Sequence, residues 1–286
     1  MKKFGSIVLT VACVAALTAC GSQAEEVVNE ATEVIEEAVE EVTEAAEEVA
    51  EEATEEVEEA AEEVEGVGDI VQNLFDYASF VAADLDTEVE LVTYVQAHQS
   101  WWDNTITLYT QTPEGGFFVY GAACTEEDAA KLVPGTKVYV KGFKSEWSGE
   151  VEIVDATLEI IDDGDTFIAE ATDVTDKLGT DELADYMNQF VSFTDMTVEA
   201  SKDADGNEVA YLYNWDGSGS QGDDLYFNVS KDGQTYNFTV ESYLCGADTD
   251  VYKAVEDLNV GDTVDLEGFL YWYEGANPHI TSCTVK

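Results

Sequence analysis

The sequence predicts a mainly β protein with two tandem five-stranded modules of order β-β-β-α-β-β, after a long acidic N-terminal segment. A turn glycine, an alternating strand and a Gly-Phe pair run from Gly135 to Phe143, and the pattern recurs from Gly261 to Phe269. Each copy follows an acidic, helix-like stretch, Thr125 to Leu132 and Asp248 to Leu258, and precedes one more strand. Such repetition indicates two copies of one structural unit.

Residues 1–19 have the features of a processing signal. Lys2 and Lys3 precede a short apolar run from Ile7 to Leu17. The motif Leu17-Thr18-Ala19-Cys20 then resembles the lipobox of bacterial lipoproteins. This resemblance implies cleavage before Cys20, a diacylglycerol thioether on its sulfur, and attachment to the outer face of the cell membrane. The alternative, an uncleaved membrane anchor, is disfavoured because the apolar run is short for a span.

Residues 20–68 follow as a segment rich in Glu, Ala and Val. Its apolar positions nearly repeat every 11 residues, as in Val27, Ala38, Val49 and Ala60, which fits a straight or slightly right-handed helix. Helix propensity favours this structure, whereas repulsion between glutamates four residues apart opposes it. We therefore expect a stalk that spaces the modules from the membrane, with oligomerisation through the stalk as a second role. A disordered polyanionic spacer is the alternative.

The charge balance is extreme, since 63 acidic residues face 11 lysines and give a net charge of −52. Such a surface repels polyanions and favours cations or basic partners, or it serves solubility alone. On this basis nucleic acid is expected to be an unlikely partner. Beyond Cys20, the odd number of cysteines, Cys124, Cys245 and Cys283, argues against a disulfide framework, although a Cys245–Cys283 pair remains open.

The first module, residues 69–163, is predicted from alternating strands and their turns. Its strands are expected at residues 88–97, 105–111, 116–121, 136–144 and 150–161, with a helix capped by Thr125. The second module, residues 164–286, begins with a short capped helix from Thr180 to Met187. Its strands are expected at residues 190–201, 225–229, 235–241 and 279–285 and within the repeat 261–269, with an extra short strand at 209–213.

Five strands with a helix between the third and fourth resemble the OB-fold, a small Greek-key barrel. The repeated Gly-strand-Gly-Phe pattern also resembles OB-type domains of exported bacterial proteins. The resemblance implies binding of oligonucleotides, oligosaccharides or peptides on the face of strands two and three. The loops that join strands one to two and four to five would frame one cleft in each module.

All five tryptophans fall in or beside those loops. Trp101, Trp102 and Trp147 belong to the first module, and Trp215 and Trp272 to the second. Because an indole offers a large flat apolar face, these rings suit stacking on sugars or bases. The alternative is that they close the ends of the barrels.

Two further groups are candidate sites. Lys137, Tyr139 and Lys141 alternate onto one strand face, with Lys144 beyond them, and could receive an anionic ligand or form ordinary solvated surface. Asp203, Asp205 and Asn207 alternate around a glycine in a way that suits Ca²⁺, and are equally explained as a hairpin turn.

No other cofactor is expected, and the motifs of serine hydrolases, zinc proteases and phosphate-binding loops do not occur in the sequence. We therefore expect no enzyme. The sequence predicts an envelope-anchored lipoprotein whose modules bind an extracellular polymer, with carbohydrate favoured over nucleic acid. A structural spacer or adhesion protein, or a calcium-binding surface protein, is the alternative.

Overall fold

A computed structural model describes residues 74–286. The predicted signal peptide, the lipidation site Cys20 and the acidic stalk lie outside the described residues. Within them the predicted fold class is confirmed, because two closed five-stranded barrels follow one another along the chain. Among the described helices, none combines the length and apolar composition needed to cross a membrane.

The first barrel contains strands β1 to β5. Their bounds are Glu88–His98 (β1), Thr105–Thr112 (β2), Gly115–Ala123 (β3), Lys137–Trp147 (β4) and Glu150–Ile160 (β5). The ring order is β1-β2-β3-β5-β4, and the antiparallel pair β1–β4 closes it. The β3–β5 pair is parallel. Short helices at Tyr77–Ala82 and Glu126–Ala129 complete this barrel.

The second barrel repeats this pairing. Its main strands are Phe190–Glu199 (β7), Leu225–Lys231 (β11), Gln234–Val240 (β12), Thr263–Phe269 (β13) and His279–Val285 (β14). Strand β7 pairs with both β11 and β13, and β12 pairs in parallel with β14, so the ring closes. The helix Asp250–Glu256 lies between β12 and β13. Additional short strands are Thr172–Asp173 (β6), Ser201–Lys202 (β8), Glu208–Val209 (β9) and Tyr211–Tyr213 (β10).

Local capping agrees with the sequence analysis in one place and differs in another. The Thr125 hydroxyl accepts a hydrogen bond from the Asp128 amide at 3.1 Å, so this residue caps its helix as predicted. Residues Asp181–Tyr186 form a 3₁₀ helix without a side-chain cap. The Thr180 hydroxyl instead donates to the Lys177 carbonyl at 2.8 Å, and the predicted capped helix at this point is therefore wrong.

Each barrel encloses its own apolar core, built from the alternate residues of its strands. Cys124 and Cys245 occupy equivalent places between the third strand and the helix, and both are buried. All three cysteines of the described chain are free thiols, so Cys245 and Cys283 are not paired in the structure.

A third apolar cluster joins the two barrels. Tyr109 and Phe118 project from the outer face of β2 and β3 and meet Phe269 of β13. The Tyr109 and Phe269 rings are stacked with centroids 4.6 Å apart. We call these three buried side chains the aromatic interface. Because they occupy the β2–β3 face, the second barrel covers the surface on which the sequence analysis expected the ligand cleft of the first.

Candidate functional site: a groove between the barrels

The main candidate site is a groove of about 1370 Å³ lined by residues of both barrels. One side consists of the face of β11 and β12, together with the β7–β11 and β13–β14 connections. In the second barrel these are strands two and three and the two loops that the OB-fold resemblance implied. Residues of β3, β5 and the end of β4 form the other side. The two expected clefts are thus replaced by one shared groove.

Aromatic side chains from both barrels line the groove. Trp147 stands at the end of β4 with 60% of its surface exposed, and Trp215 lies on the β7–β11 connection with 76% exposed. A single exposed ring is ordinary on a protein surface, but two large exposed rings that share one groove are the kind of apolar surface that binds a ligand. The remaining aromatic lining residues are Phe118, Tyr120, Tyr226, Tyr271 and Tyr273.

The floor of the groove carries a chain of hydrogen-bonded amides. The Asn237 amide nitrogen donates to the Asn228 side-chain oxygen at 3.0 Å, and the Asn277 amide nitrogen donates to the Asn237 carbonyl at 3.2 Å. Thr239 donates to the Asn277 side-chain oxygen at 3.1 Å. These contacts fix the orientation of the amides, and each amide keeps further donor or acceptor capacity for a ligand.

Two buried carboxyl groups also line the groove. Burial raises the pKa of Glu152 above its ordinary value, and its side chain is only 8% exposed. Burial, with the charge of Asp224 as the second cause, raises the pKa of Glu241 to about 7, against the opposing backbone amides of Tyr243 and Leu244. Lys202 is the one lysine among the lining residues. The groove is therefore aromatic, amide-rich and acidic.

Within the lining of the groove, a neutral histidine ties the barrels together. The Tyr109 hydroxyl and His279 Nδ1 share a hydrogen bond of 2.6 Å, and the Tyr271 ring stacks on the imidazole with centroids 4.2 Å apart. Burial lowers the pKa of His279 to about 3. The imidazole is therefore uncharged at neutral pH and serves as a fixed hydrogen-bonding group.

A fully buried carboxyl group completes this contact. Glu150 Oε2 accepts from the Trp272 backbone amide at 2.8 Å, whereas Oε1 has no partner among the described residues. The same is true of Oδ1 of the adjacent Asn188, whose Nδ2 donates to Val151 O at 2.9 Å. Burial raises the pKa of Glu150 to about 8. A proton on Oε1 would supply the hydrogen bond that both orphaned oxygens lack.

The structure separates the five predicted stacking tryptophans, and only Trp147 and Trp215 lie in the groove. Trp101 is half-buried against the core of the first barrel, and its indole nitrogen donates to the Cys124 carbonyl at 2.8 Å. Trp272 packs on the core of the second barrel. Trp102 is 77% exposed but does not line the groove. Loop position identified the right segments and could not distinguish exposed rings from packed ones.

The predicted cationic face of the first barrel is occupied by its own acidic partners. Lys137 pairs with Asp163 at 2.8 Å and Asp165 at 3.0 Å, while Lys141 pairs with Glu90 at 2.9 Å. The same Glu90 accepts from the Tyr139 hydroxyl at 2.8 Å.

Lys144 is buried and has a structural role. Its ammonium donates to the carbonyls of Phe80 and Val81 at 2.9 Å, and to that of Ala83 at 2.7 Å. It therefore ties the end of the helix Tyr77–Ala82 to β4. None of these four predicted residues lines the groove.

The calcium candidate has the geometry of a turn. Asp203 Oδ1 accepts from the backbone amides of Asp205 at 3.0 Å and Asn207 at 2.8 Å, and its other oxygen accepts from the Asn207 side chain. In residues 74–286 no three His, Cys, Asp or Glu side chains converge as metal ligands. Calcium binding at this turn stays a prediction without structural support.

Several groove residues were not singled out from the sequence. The amides of Asn228 and Asn237 face each other across the β11–β12 hairpin, whereas Asn277 and Glu152 reach the groove from distant parts of the chain. Tyr271 and Tyr273 were indicated by the sequence, because both flank Trp272 in the loop between strands four and five.

No family model and no curated protein matches the chain. Among solved structures, the chain is similar to the HIN1 domain of p202 in complex with a 12-mer double-stranded DNA, with 13% identity, a TM-score of 0.33, and coverage of 76% of this chain and 98% of that one. A murine DNA-binding protein bound to double-stranded DNA has 12% identity and a TM-score of 0.32, with 69% of this chain and 94% of that chain covered. A replication protein A heterotrimer bound to single-stranded DNA has 8% identity and a TM-score of 0.24, with 75% and 69% covered.

These neighbours correct one partner prediction. Because structures of this kind include complexes with DNA, the expectation that nucleic acid is an unlikely partner is wrong and is withdrawn. That expectation rested on the net charge, which describes the whole chain and does not describe any single binding surface.

Proposed function

We propose that this protein is a non-catalytic binding protein that holds a polysaccharide chain in the groove between its two barrels. The observation that carries the proposal is the exposure of Trp147 and Trp215, one from each barrel, in a single groove. The apolar face of a sugar ring can cover two exposed indoles that share one groove.

The polar lining supports the same ligand class. Sugar hydroxyls both donate and accept hydrogen bonds, and the floor offers both functions through Asn228, Asn237 and Asn277. The hydrogen bonds among these residues fix their orientation before a ligand arrives, which lowers the entropic cost of binding.

The proposal includes a location. The lipobox resemblance around Cys20 supports export and attachment of the protein to the outer face of the cell membrane through lipid. Residues 20–68 would then separate the barrels from the bilayer. A polymer outside the cell is the corresponding ligand.

The test is affinity electrophoresis of the full chain through gels that contain individual polysaccharides, followed by calorimetry with oligosaccharides of the retarding polymer. Trp147→Ala and Trp215→Ala should each weaken binding at least about fivefold, from the loss of one aromatic contact. Trp102→Ala is the matched control, because this ring is equally exposed but lies outside the groove. Its affinity should equal that of the unmodified protein.

Single-stranded and double-stranded oligonucleotides belong in the same panel, because aromatic platforms also stack on bases. If an oligonucleotide binds, Trp147→Ala weakens that binding, and no glycan binds, then the groove is a nucleic-acid-binding site and the carbohydrate proposal is overturned. If neither class binds, the barrels act as a spacer or as a contact for another protein.

A further inference from the structure

Glu152 is a buried carboxyl group at the groove surface with no partner in the fold. It lies on β5 beside Phe118 of β3, with which its Cα is paired, and both line the groove. The described residues offer its carboxyl no hydrogen bond and no cation, and burial is the one cause that shifts its pKa. Buried carboxylates are normally paired, because isolation from water costs free energy.

The surroundings of Glu152 match the requirements of an organic cation. Phe118 and Tyr271 meet edge to face with centroids 5.3 Å apart, and Tyr120 is adjacent to Phe118 at 6.5 Å. All three rings line the groove together with the carboxyl. Ammonium groups are held by the faces of aromatic rings and by carboxylates. The described residues contain no set of ligands for a metal ion, so an ammonium is the better fit.

The groove as a whole is negatively charged, like the Glu152 carboxylate. Glu152, Asp224 and Glu274 line it, against the single ammonium of Lys202. Glu241 adds to this negative charge only as the pH rises toward its raised pKa of about 7. A low-dielectric cleft lined by one sign of charge concentrates ligands of the opposite sign. A polymer with free amino groups gains from this field, whereas its acetylated counterpart does not.

We infer that the groove selects a polysaccharide with unacetylated amino sugars, and that Glu152 receives one of their ammonium groups between Phe118, Tyr120 and Tyr271. This inference rests on the proposed function and specifies its ligand class. No covalent step is involved.

The test compares two hexasaccharides that differ only in acetylation, β-1,4-linked glucosamine and β-1,4-linked N-acetylglucosamine, by calorimetry at pH 6 with the full chain. The glucosamine hexamer should bind at least tenfold more tightly. Glu152→Gln keeps the shape of the side chain and removes its charge, and should reduce that preference about tenfold. Glu159→Gln removes an exposed carboxyl from the same strand and should leave the preference unchanged.

A hexalysine peptide controls for attraction of any polycation to this acidic protein. The inference is overturned if hexalysine binds tightly and Glu152→Gln changes neither the affinity for hexalysine nor the preference for the glucosamine hexamer. That result would show general attraction between opposite charges. Equal affinity for the two hexasaccharides, each reduced by Trp147→Ala, would overturn the amine selectivity and leave the proposed function intact. If neither hexasaccharide nor any other glycan binds, both proposals fail.

Discussion

At the scale of single residues, the buried carboxyl of Glu150 links stability to pH. Its pKa is raised to about 8 in the folded protein, from an ordinary value near 4.5. Between these values the folded chain retains a proton that the unfolded chain has lost, so the free energy of unfolding should fall as the pH rises. Glu241, with a pKa raised to about 7, contributes with the same sign.

Glu150→Gln should therefore be more stable than the unmodified protein by about 1 kcal/mol at pH 5 and by about 4 kcal/mol at pH 8. The glutamine amide reproduces the protonated carboxyl, with one donor for Asn188 and one acceptor for the Trp272 amide. Urea unfolding at pH 5, 6.5 and 8 measures the effect. Glu159→Gln is the control for the loss of one negative charge. If the free energy of unfolding depends on pH in the same way in both variants, the raised pKa of Glu150 is contradicted.

The two lysines Lys144 and Lys141 form a matched pair on one strand. Lys144→Met leaves three carbonyls without their charged donor and should cost about 2 to 3 kcal/mol of stability. Lys141→Met removes a half-exposed ion pair with Glu90 and should change stability far less than Lys144→Met does, because solvent screens such a pair. Thermal and urea unfolding measure both. Equal effects would show that the Lys144 contacts add nothing.

The same lysines show what sequence can and cannot provide for a residue. Strand periodicity correctly placed Lys137, Tyr139 and Lys141 on one face. Their acidic partners come from β1 and from the segment after β5, and Lys137 and Asp165 are 28 positions apart. Pairing over such distances depends on the closure of the barrel, which periodicity does not contain.

At the scale of elements, the contact between β3 and the segment before β7 depends on Gly116. A Cβ atom on this residue would lie 2.2 Å from the Asn188 carbonyl oxygen, so the backbones approach too closely for any side chain. This approach positions Asn188 beside Glu150 at the contact between the barrels.

Gly116→Ala should therefore lower the free energy of unfolding by about 2 kcal/mol or more through overpacking. Gly121→Ala on the same strand is the control, because no atom lies within 4 Å of the place that a Cβ would occupy and only the positive φ of 59° is strained. That change should cost about 1 kcal/mol. Urea unfolding measures the stability of both variants. If Gly116→Ala loses less stability than Gly121→Ala, the close approach of the Gly116 and Asn188 backbones is contradicted.

The elements themselves were largely predictable, since each module supplied a template for the other. Strand β14 has the predicted bounds, and β5 differs by one residue at its end. Trp147 was expected in a loop and instead ends β4, because the β4–β5 hairpin turns in only two residues, Ser148 and Gly149. The extra strand expected at 209–213 is present as β9 and β10, with a break at Ala210.

At the scale of the whole molecule, attachment to a membrane is predicted from the lipobox resemblance alone. Expression of the full chain in a bacterial host should give a protein in the membrane fraction that incorporates labelled palmitate. Cys20→Ser should abolish the label and move the protein to the soluble fraction. Cys283→Ser, a change of a distant cysteine, should affect neither. Labelling of the Cys20→Ser variant would refute the assignment.

The arrangement of the two barrels was not predictable from the sequence. Strand periodicity separates the two faces of a strand, but it does not show which outer surface of a barrel meets the neighbouring module. Tyr109 and Phe118 were not singled out from the sequence, and Phe269 was named only as the end of the repeated Gly-Phe pattern. Because they pack together, the first barrel became one side of the groove and lost its own expected cleft.

The aromatic interface also decides how this protein can be handled at the bench. Cutting the chain between residues 163 and 164 would expose Tyr109 and Phe118 on one fragment and Phe269 and His279 on the other. Fragments produced singly would be prone to precipitate, however acidic the rest of their surface. Domain dissection for crystallography or display should therefore keep both halves in one polypeptide, or supply them together from two plasmids.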